Sequence, residues 1–170
     1  MPQFTFRAVW EEDDNTYRDI LMGKNHNFAQ FHQILIEAFE LKKFEPSSFY
    51  VSNDLWILKR RISSEVEKNI KGAAALSMQK TPVSALIDSP DQKFVYVFNE
   101  VGKSLTFHIS LIGIKKGVEM QLDDPIIIKG RGLAPSKVRA QGIEREQMKE
   151  EEDQYDLDQS ELDKHGFSSE

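Results

Sequence analysis

Residues 93 to 114 place the tightest constraint on this chain. KFVYVFN and SLTFHISLIGI both read as strands, and a turn containing Gly102 separates them. Successive side chains on a strand point to opposite faces, so the period of two in the second stretch predicts a β-hairpin with one core face. Leu105, Phe107, Ile109 and Leu111 share that face, while Thr106, His108 and Ser110 share the wetter one. His108 is therefore read as a solvated histidine.

The triplet Gly102-Lys103-Ser104 inside the hairpin looks like the end of a phosphate-binding loop. Such a loop needs a glycine five residues earlier, where Val97 stands, and must open a helix, where SLTFHISL alternates instead. A hairpin turn is the reading that survives.

A different period governs NFAQFHQILIEAF, residues 27 to 39. At 100° per residue Phe28, Phe31, His32, Leu35, Ile36 and Phe39 fall on one arc, with Gln30, Gln33 and Glu37 opposite. Asn27 can cap this helix and Gln30 can reciprocate, which predicts a helix over residues 28 to 40. His32 lies near the middle of the apolar arc, so a hydrogen-bonded core histidine is favoured over a working group.

The remaining elements are shorter. QFTFRAVW and TYRDILM flank the polar EEDDN and read as an opening hairpin, with Phe4 and Phe6 on one side. SSFYVS reads as a strand, and NDLWILKRRI as its continuation after a turn at Asn53 and Asp54, with Trp56 a core anchor. Residues 63 to 80 show no clear period and read as a loop with a helical piece. TPVSALI reads as a short second helix, with Thr81 as cap and Pro82 in the first helical position. PIIIKGRG is expected to be an edge strand because it begins with a proline.

Charge divides the chain. Residues 1 to 130 carry net charge -1 and residues 131 to 170 carry -5. Apolar residues in the tail are too sparse to offset the entropy of ordering it, so residues 137–170 are expected to be acidic and largely disordered, with nascent helix over 138–152. The body, residues 1–136, is expected to form a single α+β domain of β-hairpins with a core helix near its N-terminus and a short second helix.

Several chemistries find no support. The chain has no cysteine, which removes thiolate nucleophiles, disulfides and cysteine-based metal sites. His26, His32, His108 and His165 have no spacing that places two imidazoles on one helix face, and EEDDN lacks the spaced ligands and turning glycine of a calcium loop. No catalytic, metal or cofactor-binding residue is assigned, and no binding residue either. No apolar run is long enough to cross a bilayer and no leader pattern opens the chain, so a cytoplasmic setting without a membrane partner is expected. Lys59, Arg60 and Arg61 beside Tyr50 and Trp56 resemble a single-strand grip, yet a body of net charge -1 lacks the broad positive face that phosphate binding needs. The tail offers a surface for a basic protein partner, and Ser160, followed by Glu161 and Asp163, fits an acid-directed kinase.

Phe31-His32 in the helix, Trp56 after SFYVSNDL, TPVSALI, the strand YVFN and the closing Gly132, Ala134 and Pro135 occur in an order that resembles the plasmid pRiA4b ORF-3-like family. Two positions depart from the family pattern, Asn99 in place of aspartate and Leu105 in place of tryptophan. The resemblance implies an α+β fold and an association with plasmids, mobile elements and transposon passenger proteins. It implies no reaction. Together these readings favour a non-enzymatic binding or adaptor domain. The alternative is a nucleic-acid-associated protein or enzyme linked to plasmids or mobile elements.

Overall fold

The structure, a computed structural model, describes residues 1–43, 45–64, 75–100 and 102–138. The acidic tail from residue 139 onward, all but the first residue of the helix expected over 138–152 and most of the unreadable stretch between residues 63 and 80 lie outside the described residues. Contacts divide the chain into two units, Met1–Ala134 and Pro135–Glu170. In the second, residues 135 to 138 are helical. The first holds everything below.

The first unit is mixed α+β and rich in strands. β1 (Gln3–Trp10), β2 (Tyr17–Gly23), α1 (Phe28–Ala38), β3 (Ser47–Ser52), β4 (Arg61–Ser63), β5 (Leu76–Ser77), a 3-10 turn (Val83–Leu86), β6 (Lys93–Glu100), β7 (Lys103–Lys115) and β8 (Ile126–Arg131) follow in order. All eight described strands join one sheet in the order β5-β4-β3-β6-β7-β1-β2-β8. Pairing is antiparallel except between β4 and β5.

Alternation decides which face is buried. Phe4, Phe6, Ala8 and Trp10 of β1 and Leu105, Phe107, Ile109 and Leu111 of β7 lie in the core, as their spacing predicts. α1 contributes Phe28, Phe31 and Leu35 to the same core. Rings interlock there: Phe28 and Phe31 approach Phe49 at 5.1 and 5.2 Å between centroids, and Phe31 approaches Phe6 at 5.3 Å. Burying each phenylalanine contributes about 2–3 kcal/mol and a well-placed ring pair about 1 kcal/mol more.

α1 starts where its cap predicts. The Asn27 side chain accepts from the Gln30 N–H at 2.9 Å, and Gln30 Oε1 accepts from the Asn27 N–H at 2.9 Å, a full capping box. Its end is earlier than residue 40. Glu40 takes a left-handed conformation with φ +52, and the Leu41 N–H donates to Ile36 O at 2.9 Å, closing the helix as a glycine usually does. Because glutamate carries no stop signal, the sequence does not show this boundary.

Arg18 ties the far end of α1 to the sheet. It projects from the core face of β2, and its guanidinium donates to the backbone oxygens of Ala38, Tyr17, Arg131 and Gly132 at 2.8–3.0 Å. The helix end therefore meets a full charge, and the terminal carbonyls of α1 and β8 find a donor.

Two element expectations are corrected. NDLWILKRRI does not continue as one strand: β4 is confined to Arg61–Ser63, and residues 53 to 60 form a loop. Asn53 builds that loop by accepting the N–H groups of Leu55 at 3.0 Å and Ile57 at 3.3 Å, a competition with ladder bonding that asparagine wins at turns. TPVSALI forms only a 3-10 turn, and Pro82 rather than Thr81 occupies the cap, without a capping side chain. PIIIKGRG is an edge strand, as its proline suggests.

Candidate functional site

His32 holds a small polar cluster at the boundary of the core. Its Nδ1 lies 2.7 Å from the Tyr96 hydroxyl and 2.9 Å from Ser47 Oγ. Tyr96 is fully buried on β6, which pushes its phenol up and keeps it neutral, and Ser47 on β3 is 3% exposed. Burial also pushes the His32 imidazole below its ordinary range. The histidine is half-buried rather than central to the apolar face, with its ring turned so that Nδ1 faces inward.

A hydroxyl on an imidazole resembles a nucleophile and its base. Ser47, however, is withdrawn from solvent, shares Nδ1 with a tyrosine, and has no carboxylate beyond the histidine among the described residues to orient it. The cluster serves as hydrogen-bond satisfaction for two buried hydroxyls.

His26 has a role with no sequence signal. Its Nδ1 accepts from the Gly23 N–H at 2.9 Å, so the proton sits on Nε2, which faces Leu122 O at 3.1 Å and Asp123 O at 3.2 Å. It staples the segment before β8 to the turn after β2. That ties both its ring nitrogens to structure.

The opposite, outer face of the sheet carries a different arrangement. Val9, His108, Val95 and Tyr50 stand in register across β1, β7, β6 and β3. Trp56 folds down from the β3–β4 loop and stacks on His108, ring centroids 4.2 Å apart and planes 6° from parallel. The tryptophan is half-buried and anchors the loop to the outer face, so the expectation of a core anchor is corrected. His108 does face the wetter side, but beneath an indole rather than open solvent. Burial lowers its pKa, opposed by the charges of Glu11 and Asp14.

Trp56 adopts φ +58, a left-handed conformation that costs a bulky residue about 1–2 kcal/mol. The stack offsets that cost. Trp56→Ala is expected to uncover His108 and raise its pKa toward the ordinary 6.5, as read from the imidazole proton shifts in an NMR titration. An unmoved titration would mean that the strands alone desolvate the ring.

With Trp56 turned inward, its neighbours turn outward. Leu55, Ile57 and Leu58 are 78%, 51% and 52% exposed. Lys59 and Arg60 beside them are exposed too, whereas Arg61 is directed at the sheet, its Nε donating to Ser48 Oγ at 3.0 Å. The three-residue basic cluster read from the sequence is thus divided. The loop's shape is fixed by Asn53, by Ser52 Oγ donating to Ile57 O at 2.8 Å, and by two backbone bonds between Val51 and residues 59 and 60 at 2.9 Å.

The EEDDN turn is a hydrogen-bonded hairpin loop: Asp13 accepts from the Asn15 N–H and the Thr16 hydroxyl, each at 3.0 Å. The Gly102 turn is likewise a hairpin, with φ +77 at the glycine.

The sequence profile of the plasmid pRiA4b ORF-3-like proteins matches residues 8–138. The chain belongs to that family. The matched span runs from the end of β1 to the helical residues after β8, and takes in the His32 cluster, Trp56 and His108. A solved protein of unknown function from Methanosarcina mazei Go1 shares the family member's fold, with TM-score 0.59 over 78% of this chain and 71% of that chain at 18% identity. No curated protein matches the chain. No described helix is long and apolar enough to cross a membrane.

Proposed function

We propose that this plasmid pRiA4b ORF-3-like protein is a non-enzymatic binding or adaptor domain whose partner docks on the loop of residues 53 to 60. Three large apolar side chains held outward by a pinned loop carry this reading. Ordering such a loop on binding costs little because hydrogen bonds and the Trp56 stack already fix it. Leu55, Ile57 and Leu58 call for an apolar face on the partner, and Lys59 and Arg60 for acidic residues at its rim. The occupant is an acidic protein segment with interspersed leucine or phenylalanine.

The second reading, a nucleic-acid-associated protein of mobile elements, draws on the family and on the same two cations. It accounts for them but not for the three apolar side chains, and the one aromatic ring of the loop is already stacked on His108.

Titration of the full chain with a labelled acidic leucine-rich peptide and, separately, with labelled single-stranded and duplex DNA distinguishes the two. Ile57→Asp with Leu58→Asp is expected to weaken peptide binding about tenfold or more, with thermal stability unchanged. DNA binding that falls steeply with salt and is lost in Lys59→Ala with Arg60→Ala would replace the first reading with the second.

A further inference from the structure

Among the described residues, β8 leaves one edge of the sheet open. It is the terminal strand, bonded to β2 alone among the described strands, and all six of its residues are exposed. Ile126, Ile127 and Ile128 are 45%, 39% and 50% exposed. Natural edges are usually blunted by charge, proline or irregularity, because a row of unpaired N–H and C=O groups recruits any passing strand. Here the devices are Pro125 before the strand, a register shift that leaves Ile128 out of the pairing with β2, and Lys129 and Arg131 in the second half. Ile126 and Ile127, between the proline and the shift, are regularly paired to β2 and carry no charge.

Beside that half lies a groove of about 300 Å³ between α1 and the start of β8, lined by Gln30, Gln33, Ile34, Glu37, Asp124 and Pro125. Its floor is apolar, with Ile34 9% exposed and Pro125 buried, while Glu37 and Asp124 stand exposed at its rim. No cation is among the lining residues. An unpaired strand edge with a negatively rimmed groove on one side meets the requirements of strand addition, in which main-chain bonds hold the guest and alternate side chains enter pockets.

We propose that β8 is a strand-addition site for an extended segment of another protein in which basic and apolar residues alternate. Its basic side chains enter the groove toward Glu37 and Asp124, and its apolar ones lie along Ile126 and Ile128. A second copy of this chain fits less well. Antiparallel pairing of β8 with itself places both α1 helices on the same side of the joined sheet, bringing the two Glu37 and Asp124 rims toward each other without a cation between them.

The test is a fluorescence anisotropy titration of the full chain with a labelled peptide that alternates lysine and valine. Saturable binding is expected, weakened about tenfold or more when alternate peptide nitrogens are methylated, which keeps the side chains but removes the edge donors. Glu37→Lys, at an exposed helix position, is expected to weaken binding similarly while leaving the melting temperature unchanged, and Ile57→Asp is expected to have no effect. Three outcomes overturn the proposal: no binding, equal binding of the methylated or order-scrambled peptide, or a dimer in sedimentation that Ile128→Lys dissolves. The last assigns the edge to a second copy.

Discussion

Gly132→Ala is expected to lower the unfolding free energy by about 2–4 kcal/mol, the larger part from collision rather than from dihedral strain. Gly132 has φ +85, a conformation that costs an alanine about 1 kcal/mol. A Cβ added there meets the Thr16 backbone Cα at 2.8 Å and its Cβ at 2.9 Å, and also its hydroxyl. Thr16 cannot retreat. It is fully buried, its hydroxyl is bonded to Asp13, and its backbone oxygen accepts the Trp10 N–H at 3.0 Å to close the first hairpin. Overpacking of this kind costs about 1–3 kcal/mol.

The same glycine offers its carbonyl to Arg18, so displacement reaches the end of α1 as well. Gly130 makes room for the same arginine: a Cβ there would lie 2.9 Å from Arg18 Cδ. The GRG run is therefore a passage for one side chain and a turn against one threonine. Urea denaturation of the wild type and the variant checks the size of the loss. An unchanged midpoint would mean that the first hairpin yields at Thr16 without cost.

How far these relations are legible in the sequence depends on their range. Where one period or one cap decides the outcome, reading succeeds: the core face of β7, the faces of β1 and the start of α1 follow from residues at most four apart. Trp56 fails because an indole four residues past a strand end is equally at home in a core or on an outer face. The deciding partner, His108, lies 52 positions away on a strand that the sequence does place correctly.

The site residues show the same division. His32 is legible as a satisfied histidine because its apolar arc implies partners, although not that the partners are Ser47 and Tyr96. His26 is invisible, since both its nitrogens serve backbone atoms and no pattern of side chains marks them. Arg18 looks like any strand arginine until its four carbonyl acceptors are assembled from three separate parts of the chain. Gly132 belongs to the pattern that carries the family resemblance, and only the contact with Thr16 explains why a glycine closes it.

His32→Ala is expected to destabilise the fold by about 2–3 kcal/mol, from the lost ring packing and from two hydroxyls that lose their imidazole partner. Tyr96 and Ser47 still reach each other, which limits the loss. The variant is also expected to change the response to acid. Burial holds the folded-state pKa of His32 below its ordinary 6.5, so below that pH the unfolded chain takes up a proton that the folded one refuses. The unfolded state then binds more protons, and stability falls as pH falls. The contribution is complete above about 6.5 and is lost progressively down to the folded-state pKa. His108, also lowered by burial, acts in the same direction. Unfolding free energies measured on both sides of pH 6.5 should therefore drop on the acid side in the wild type and drop less in His32→Ala. If the variant keeps the wild-type slope, the pH dependence belongs to other groups; if its stability at neutral pH is unchanged, the cluster of His32, Ser47 and Tyr96 does not hold the core.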